Sequence, residues 1–178
     1  MNKNEVSIQT KNYSVQILDI IRSNHTDEEL KMMLEEYHEN DIASVFEELT
    51  IEEKERLRLV LGSEIMSEVV AFLSDAGEYL SEIDADDAAE IIEQMDADEA
   101  FEVLEDLDEE TRSEIFELIE DEEIKEDIEL IDSYDEDEFG SRMSTNFIVV
   151  KKNNTIKETM KTLVSEAAEN DNIYTIFV

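Results

Sequence analysis

Carboxylates are the one kind of side chain in this sequence dense enough to suggest chemistry. The chain of 178 residues carries 51 Asp and Glu against 14 Lys and Arg, a formal net charge of -37. Residues 41–140 hold 39 acids and 5 bases, and no cation stands between Arg58 and Arg112. Such a surface suits hard divalent cations or a basic protein partner. It makes nucleic acid an improbable partner, because binding nucleic acid rests on Lys and Arg neutralising phosphates. The chain has no Cys, so neither a disulfide framework nor a Cys-based zinc site is available. Its two histidines, His25 and His38, are well separated in sequence and lie outside the most acidic stretch. Asp106, Asp108, Glu110, Glu114 and Glu117 match the ligand frame of a calcium-binding loop, but Thr111 stands where the tight turn demands glycine. Paired carboxylates can also hydrolyse glycosides. No partner nucleophile or aromatic groove accompanies them here, so an enzyme is not expected.

The elements that must position these acids follow from a repeat. A large aliphatic residue closes a segment at every twelfth position through most of the chain, at Leu49, Leu61, Leu73, Ile83, Met95, Leu107, Ile119 and Ile131, with one contraction to ten before Ile83. Most are followed at once by a capping or acidic residue. Within each block the apolar positions fall at helical spacing, as in Ile91, Ile92 and Met95 or Val103, Leu104 and Leu107. A helix of about 8 residues is only about 12 Å long and does not stand alone in water. Each must borrow stability from stacked neighbours, which is the signature of a helical solenoid. The expected fold is therefore mainly α, a right-handed stack of short helices, with Leu49, Leu61, Leu73, Met95, Leu107 and Ile119 buried. Many acids have a structural purpose in such a stack. Asp84, Asp96 and Asp108 sit where N-caps belong, and Asp87, Glu99 and Glu123 fall three residues past a cap position.

The ends of the chain differ from its middle. An amphipathic helix is expected from about Ser14, and Thr26 with Glu29 has the form of a capping box, opening a helix from Asp27 to about His38. After Tyr134 a connector with Gly140 leads to a β-branched run from Phe147 to Val150. Thr155 and Glu158 make another capping box, for a helix to about Ala168, and Ile173 to Val178 reads as a second strand. Strand, helix and strand make one β-α-β unit, too little to be a domain. Residues 141–178 are nearly neutral, with 4 acids and 5 bases. The longest stretch free of charge runs only from Met143 to Val150, far short of the roughly 20 residues that cross a bilayer, so no membrane span is expected.

Tyr134, the acids 135–138, Gly140, Met143, Thr145 and the run from Phe147 to Val150 together resemble the junction that leads into the first cystathionine-β-synthase-type (CBS) motif of MgtE-type magnesium transporters. Residues 156–178 are similar to the first helix and second strand of that motif. The acidic short helices upstream resemble the same family's superhelical N-terminal domain, so the likeness covers roughly residues 37–178. It implies the acidic superhelical domain over 37–133, a connector over 134–146, and the truncated first half of a CBS motif over 147–178; residues 1–36, read above as N-terminal helices, lie outside it.

The resemblance also implies a function. The chain would be the cytosolic magnesium-sensing region of a magnesium transporter or channel, on the cytoplasmic side of the cell membrane, homodimeric in the full-length protein. Mg2+ would bind between the N domain and the CBS domains, and the compacted form would close the pore. Asp87 and Glu90 correspond by position to acids that face the CBS domain, with Asp86 as an alternate, and the backbone carbonyl of Gly140 resembles a further metal ligand. The remaining CBS carboxylates and the transmembrane domain would lie beyond Val178. Elementary chemistry is compatible with this set. Magnesium takes oxygen ligands, keeps several waters and needs only one or two protein carboxylates. Asp87 and Glu90, three apart, share a helix face. Two carboxylates about 6 Å apart repel by roughly 3 kcal/mol at an effective dielectric of about 20, so acid pairs could hold an interface open until cations neutralise them. Short-helix stacks also occur in flagellar motor switch proteins, and the alternative is an acidic helical adaptor docking a basic protein partner.

Overall fold

In the computed structural model, residues 13–134, 140, 147–166 and 175–177 are described. They are mainly helical. The chain divides into two compact units, Met1–Ala76 and Gly77–Val178.

The first unit contains α1 (Ser14–Arg22), α2 (Asp27–Leu34), α3 (Glu39–Ala43), a single 3-10 turn (Phe46–Glu48) and α4 (Ile51–Ala71). Side chains set the helix starts. Thr26 accepts from the Glu29 N–H while the Glu29 carboxylate accepts from the Thr26 N–H, and Thr50 with Glu53 repeats this capping box at the head of α4. The helix expected to reach His38 instead ends at Leu34, because His38 starts a new one: its Nδ1 accepts from the Asn40 N–H at 3.2 Å, capping α3. Helix α4 is two repeat helices abutting at Gly62, whose φ of 81° and ψ of 169° break the helical path without a loop. Ile17, Leu30, Leu34, Ile42, Leu57 and Leu61 are all but fully buried, and α1, α2 and α3 each pack on α4.

The second unit carries α5 (Ala76–Glu82, its first residue belonging to the first unit), α6 (Ala85–Ile92), α7 (Ala97–Glu105), α8 (Glu109–Leu118) and α9 (Glu122–Asp132). Helix α6 packs on α8, and α7 on α9. Contact with the next helix but one is what a stack of short helices requires. Its interior is filled by side chains such as Ile91, Ile92, Leu104 and Ile115, each at most 1% exposed. Of the expected core residues, Leu49, Leu61, Met95 and Ile119 are buried, whereas Leu73 and Leu107 are only half-buried. The residues just before them, Val69 and Val70 in one case and Leu104 in the other, already fill the interior.

Aspartates cap this series unequally. Asp108 accepts from the N–H groups of Glu110 and Thr111, as expected. Asp84 has the extended backbone of an N-cap but makes no cap hydrogen bond with its side chain. At α9 the cap is Asp121, which accepts from Glu123 and Ile124, one residue past the repeat position at Glu120. Close backbone approach fixes one glycine: a Cβ on Gly77 would lie 2.9 Å from the Asp106 Cβ.

Beyond the connector, β1 (Phe147–Val149) pairs in parallel with β2 (Thr175–Phe177), in the register Phe147 to Thr175, Ile148 to Ile176 and Val149 to Phe177. Helix α10 (Ile156–Glu166) lies between them in sequence and opens on the expected capping box, with the Glu158 carboxylate accepting from the Thr155 N–H at 2.7 Å. The expected continuation to Ala168 and the start of the second strand at Ile173 lie outside the described residues. No described helix is long and apolar enough to cross a membrane.

Candidate metal centre

Helix α6 is built from Ala85-Asp-Asp-Ala-Ala-Glu-Ile-Ile92. Ala88, Ala89, Ile91 and Ile92 are buried and form its inner face. Its first turn carries Asp86 and Asp87, where the positive end of the helix dipole favours acids. The inward set leaves Asp86 and Glu90 exposed and Asp87 half-buried at the edge. Asp87 and Glu90 therefore share one side of α6, three residues apart, as expected from spacing. Gly140 is in the connector, half-buried, and packs so closely on the Tyr134 ring that a Cβ there would collide with it. Among the described residues, no group of three or more Asp, Glu or His side chains converges in a geometry that could hold a metal ion. The donor chemistry of α6 fits a hydrated hard cation, for which one or two carboxylates suffice, but it is not a closed cage. The calcium-loop frame is helical from Glu109 through Glu117, with no loop to wrap an ion.

The acids draw their meaning from where the cations go. Seven Lys and Arg lie between residues 13 and 134, and every one is engaged by the protein itself. Arg22 donates to Glu53 Oε1 at 3.0 Å and to the Glu48 carbonyl at 2.7 Å. Lys31 donates to the Leu61 carbonyl at 3.3 Å, and Arg56 to the His25 carbonyl at 2.8 Å and to Asp27 at 3.2 Å. Arg58 pairs with Glu55, and Lys54 sits over the Phe46 ring at 5.4 Å. In the second unit, Arg112 binds Glu105 and Asp132 and lies 5.8 Å from the Phe101 ring centroid, while Lys125 reaches the Glu117 carbonyl and the Phe116 ring. Across α6 to α9, Arg112 and Lys125 alone stand against all the carboxylates of four acidic helices.

Several acids belong to the fold rather than to any ligand. Glu93, at the end of α6, accepts from the backbone N–H groups of Glu120 and Asp121 and so caps the approach to α9. Hydrogen bonds from the Thr111 hydroxyl and N–H hold the Asp108 carboxyl below its ordinary value. The Arg22 guanidinium and then the Thr50 N–H do the same for Glu53, and Arg58 for Glu55. Sequence reasoning missed the Thr50–Glu53 box and the bridging part of Arg112. The first was visible as a further Thr-x-x-Glu, the second as one of only two cations in a long acidic run.

Fold and site together define a class: a stack of short helices whose own cations are engaged internally and whose outer acids face solvent, suited to meeting cations from outside. The chain belongs to the MgtE intracellular N domain family, whose model matches residues 37–137. Two solved structures share the fold. The crystal structure of the soluble part of a magnesium transporter superposes with a TM-score of 0.79 at 19% identity, over 92% of this chain and 66% of that one. The crystal structure of the cytosolic domain of the Mg2+ channel MgtE in complex with ATP gives 0.77 at 24% identity, over 91% and 68%. This chain thus spans about two thirds of the length of each. No curated protein sequence matches it.

Proposed function

We propose that this chain is the magnesium-sensing regulatory region of a MgtE-type magnesium transporter, facing the cytosol. The observation that carries the reading is the outer side of α6 in a chain of this family: Asp87 and Glu90 stand together there, in a stack whose cations are already engaged. Asp87 and Glu90 are the ligands, with Asp86 as an alternate, and the Gly140 carbonyl contributes to a further site in the connector. Mg2+ is the ligand. Residues 37–133 act as the acidic domain, 134–146 as its connector and 147–178 as the first half of a CBS motif, of which β1, α10 and β2 are the expected pieces. Each site is completed by carboxylates of the remaining CBS chain. In the absence of magnesium, repulsion between the two acidic surfaces holds them apart; magnesium neutralises them, and the compact form closes the pore of a homodimeric transporter.

The test uses the chain extended through a complete CBS pair, titrated with magnesium at fixed ionic strength while X-ray scattering follows its radius of gyration. Replacing Asp87 and Glu90 together by Ala should move the compaction midpoint to higher magnesium. Replacing Glu114 and Glu117, both exposed on α8, should leave it in place. Potassium at equal ionic strength should not substitute. Identical behaviour of the two double variants would overturn the ligand assignment.

A further inference from the structure

The segment from Tyr13 to Glu36, which precedes the family match at residue 37, is tied to α3 and α4 in a specific manner. Ile17, Ile21, Leu30 and Leu34 are each at most 3% exposed, on helices that pack against α3 and α4. Three cations then join α1 and α2 to the elements behind them, and each bonds a backbone carbonyl at a turn or a helix end. Arg22, the last residue of α1, donates to the Glu48 carbonyl that ends the 3-10 turn. Arg56, on α4, donates to the His25 carbonyl between α1 and α2. Lys31, on α2, donates to the Leu61 carbonyl, the last before the break in α4.

That last bond falls at the one backbone position with positive φ among the described residues. Gly62 ends the first half of α4, and the carbonyls at a helix end have no partner within the helix. A Cβ on Gly62 would meet nothing within 4 Å, so crowding does not hold the break in place. A cationic donor at the C-terminal end of the first half satisfies an orphan carbonyl and complements the negative end of the helix dipole. We propose that α1 and α2 form a clamp that fixes the break in α4 at Gly62, with Arg22, Lys31 and Arg56 as its pins. The angle at which Ser63–Ala71 leaves the first half of α4 is set by residues that precede the matched domain. The clamp acts without magnesium and stands independently of the sensor assignment.

Amide hydrogen exchange of the full chain, read by mass spectrometry, tests it. Lys31→Met keeps the apolar stem and removes the donor. Exchange of the amides of residues 58–62, the last turn before the break, should rise roughly tenfold, the size expected for losing one charge-assisted hydrogen bond. Exchange in α6 to α9 should not change, and Lys31→Arg, which keeps a cationic donor, should stay near the parent. Arg56→Met provides a second reading and should raise exchange over residues 25–30. Unchanged exchange at 58–62 in Lys31→Met, an equal rise throughout α6 to α9, or equal loosening in Lys31→Arg would each overturn the proposal.

Discussion

Arg112 on α8 donates through Nη2 to the Asp132 carboxylate at the end of α9, at 3.0 Å, across 20 residues of sequence. The same guanidinium binds Glu105 at the end of α7 and lies over the Phe101 ring. One cation on α8 therefore joins α7, α8 and α9 in a strongly acidic part of the chain, where Lys125 is the only other cation on these three helices.

Replacing Arg112 by Gln should lower the stability of the second unit by about 1 kcal/mol, the sum expected of a partly exposed ion-pair network and one cation-π contact. The loss should shrink as salt is added, because screening weakens both the pairing and the repulsion it offsets. Thermal unfolding at low and high ionic strength checks this. Equal destabilisation at both would show that the side chain acts by packing alone.

Acid should act on the chain in two opposed ways. Mild acidification reduces the self-repulsion of a chain at -37 and should first raise stability. Glu53 then works the other way. Its folded carboxyl is held below the ordinary value by Arg22 and Thr50, so its contribution is complete above the ordinary glutamate pKa of about 4.3 and is lost as pH falls through the lower folded value. Glu53→Gln should flatten that acid limb for the first unit. Circular dichroism melts from pH 7 to pH 3 would reveal it, and an unchanged acid limb would rule out the Arg22–Glu53 pair as a contributor.

The core makes a graded prediction. Leu104 is fully buried, and Leu104→Ala should cost about 2 to 5 kcal/mol. Half-buried Leu107 closes its repeat in sequence but covers only the edge of the interior, so Leu107→Ala should cost roughly 1 to 2 kcal/mol. Chemical denaturation of the two variants should preserve that order.

Two glycines should resist alanine for different reasons. Gly62→Ala meets no neighbour, yet its φ of 81° and ψ of 169° lie in a region that belongs to glycine, for a cost of about 1 to 3 kcal/mol. Gly77→Ala would push against the Asp106 backbone, whose carbonyl oxygen would lie 3.1 Å from the new Cβ. Urea midpoints should fall in both, and a second substitution at Asp106 should rescue neither, because the obstruction at Gly77 includes main-chain atoms.

Much of this fold was legible because helix ends are written in a short chemical code. Thr26 with Glu29 and Thr155 with Glu158 start helices where their spacing indicates, and the shortened step before Ile83 corresponds to the shorter α5, of 7 residues. What escaped depends on alternatives that spacing cannot rank. The twelve-residue step put the cap of α9 at Glu120, but the cap is Asp121, whose shorter side chain reaches the N–H groups of the first turn. At Gly62 the expected boundary is real, but glycine let the two helices abut without a loop. For the candidate site, the shared face of Asp87 and Glu90 follows from a three-residue spacing. Which acids are taken up by the fold, as Glu93 is at Glu120 and Asp121, depends on contacts 27 and 28 residues away that no local pattern encodes.

The engagement of all seven stack cations within the protein changes the solvent as well as the chain. A surface of fixed negative charge with so little counter-charge of its own gathers an ionic sheath from the medium, mostly potassium in a cell-like electrolyte. Each magnesium that enters this sheath releases two monovalent ions to the bulk, and that gain in free particles favours the exchange without any contact being formed. A stack of this charge should therefore respond to the ratio of divalent to monovalent ions around it, and any binding at a particular carboxylate pair would come on top of that background.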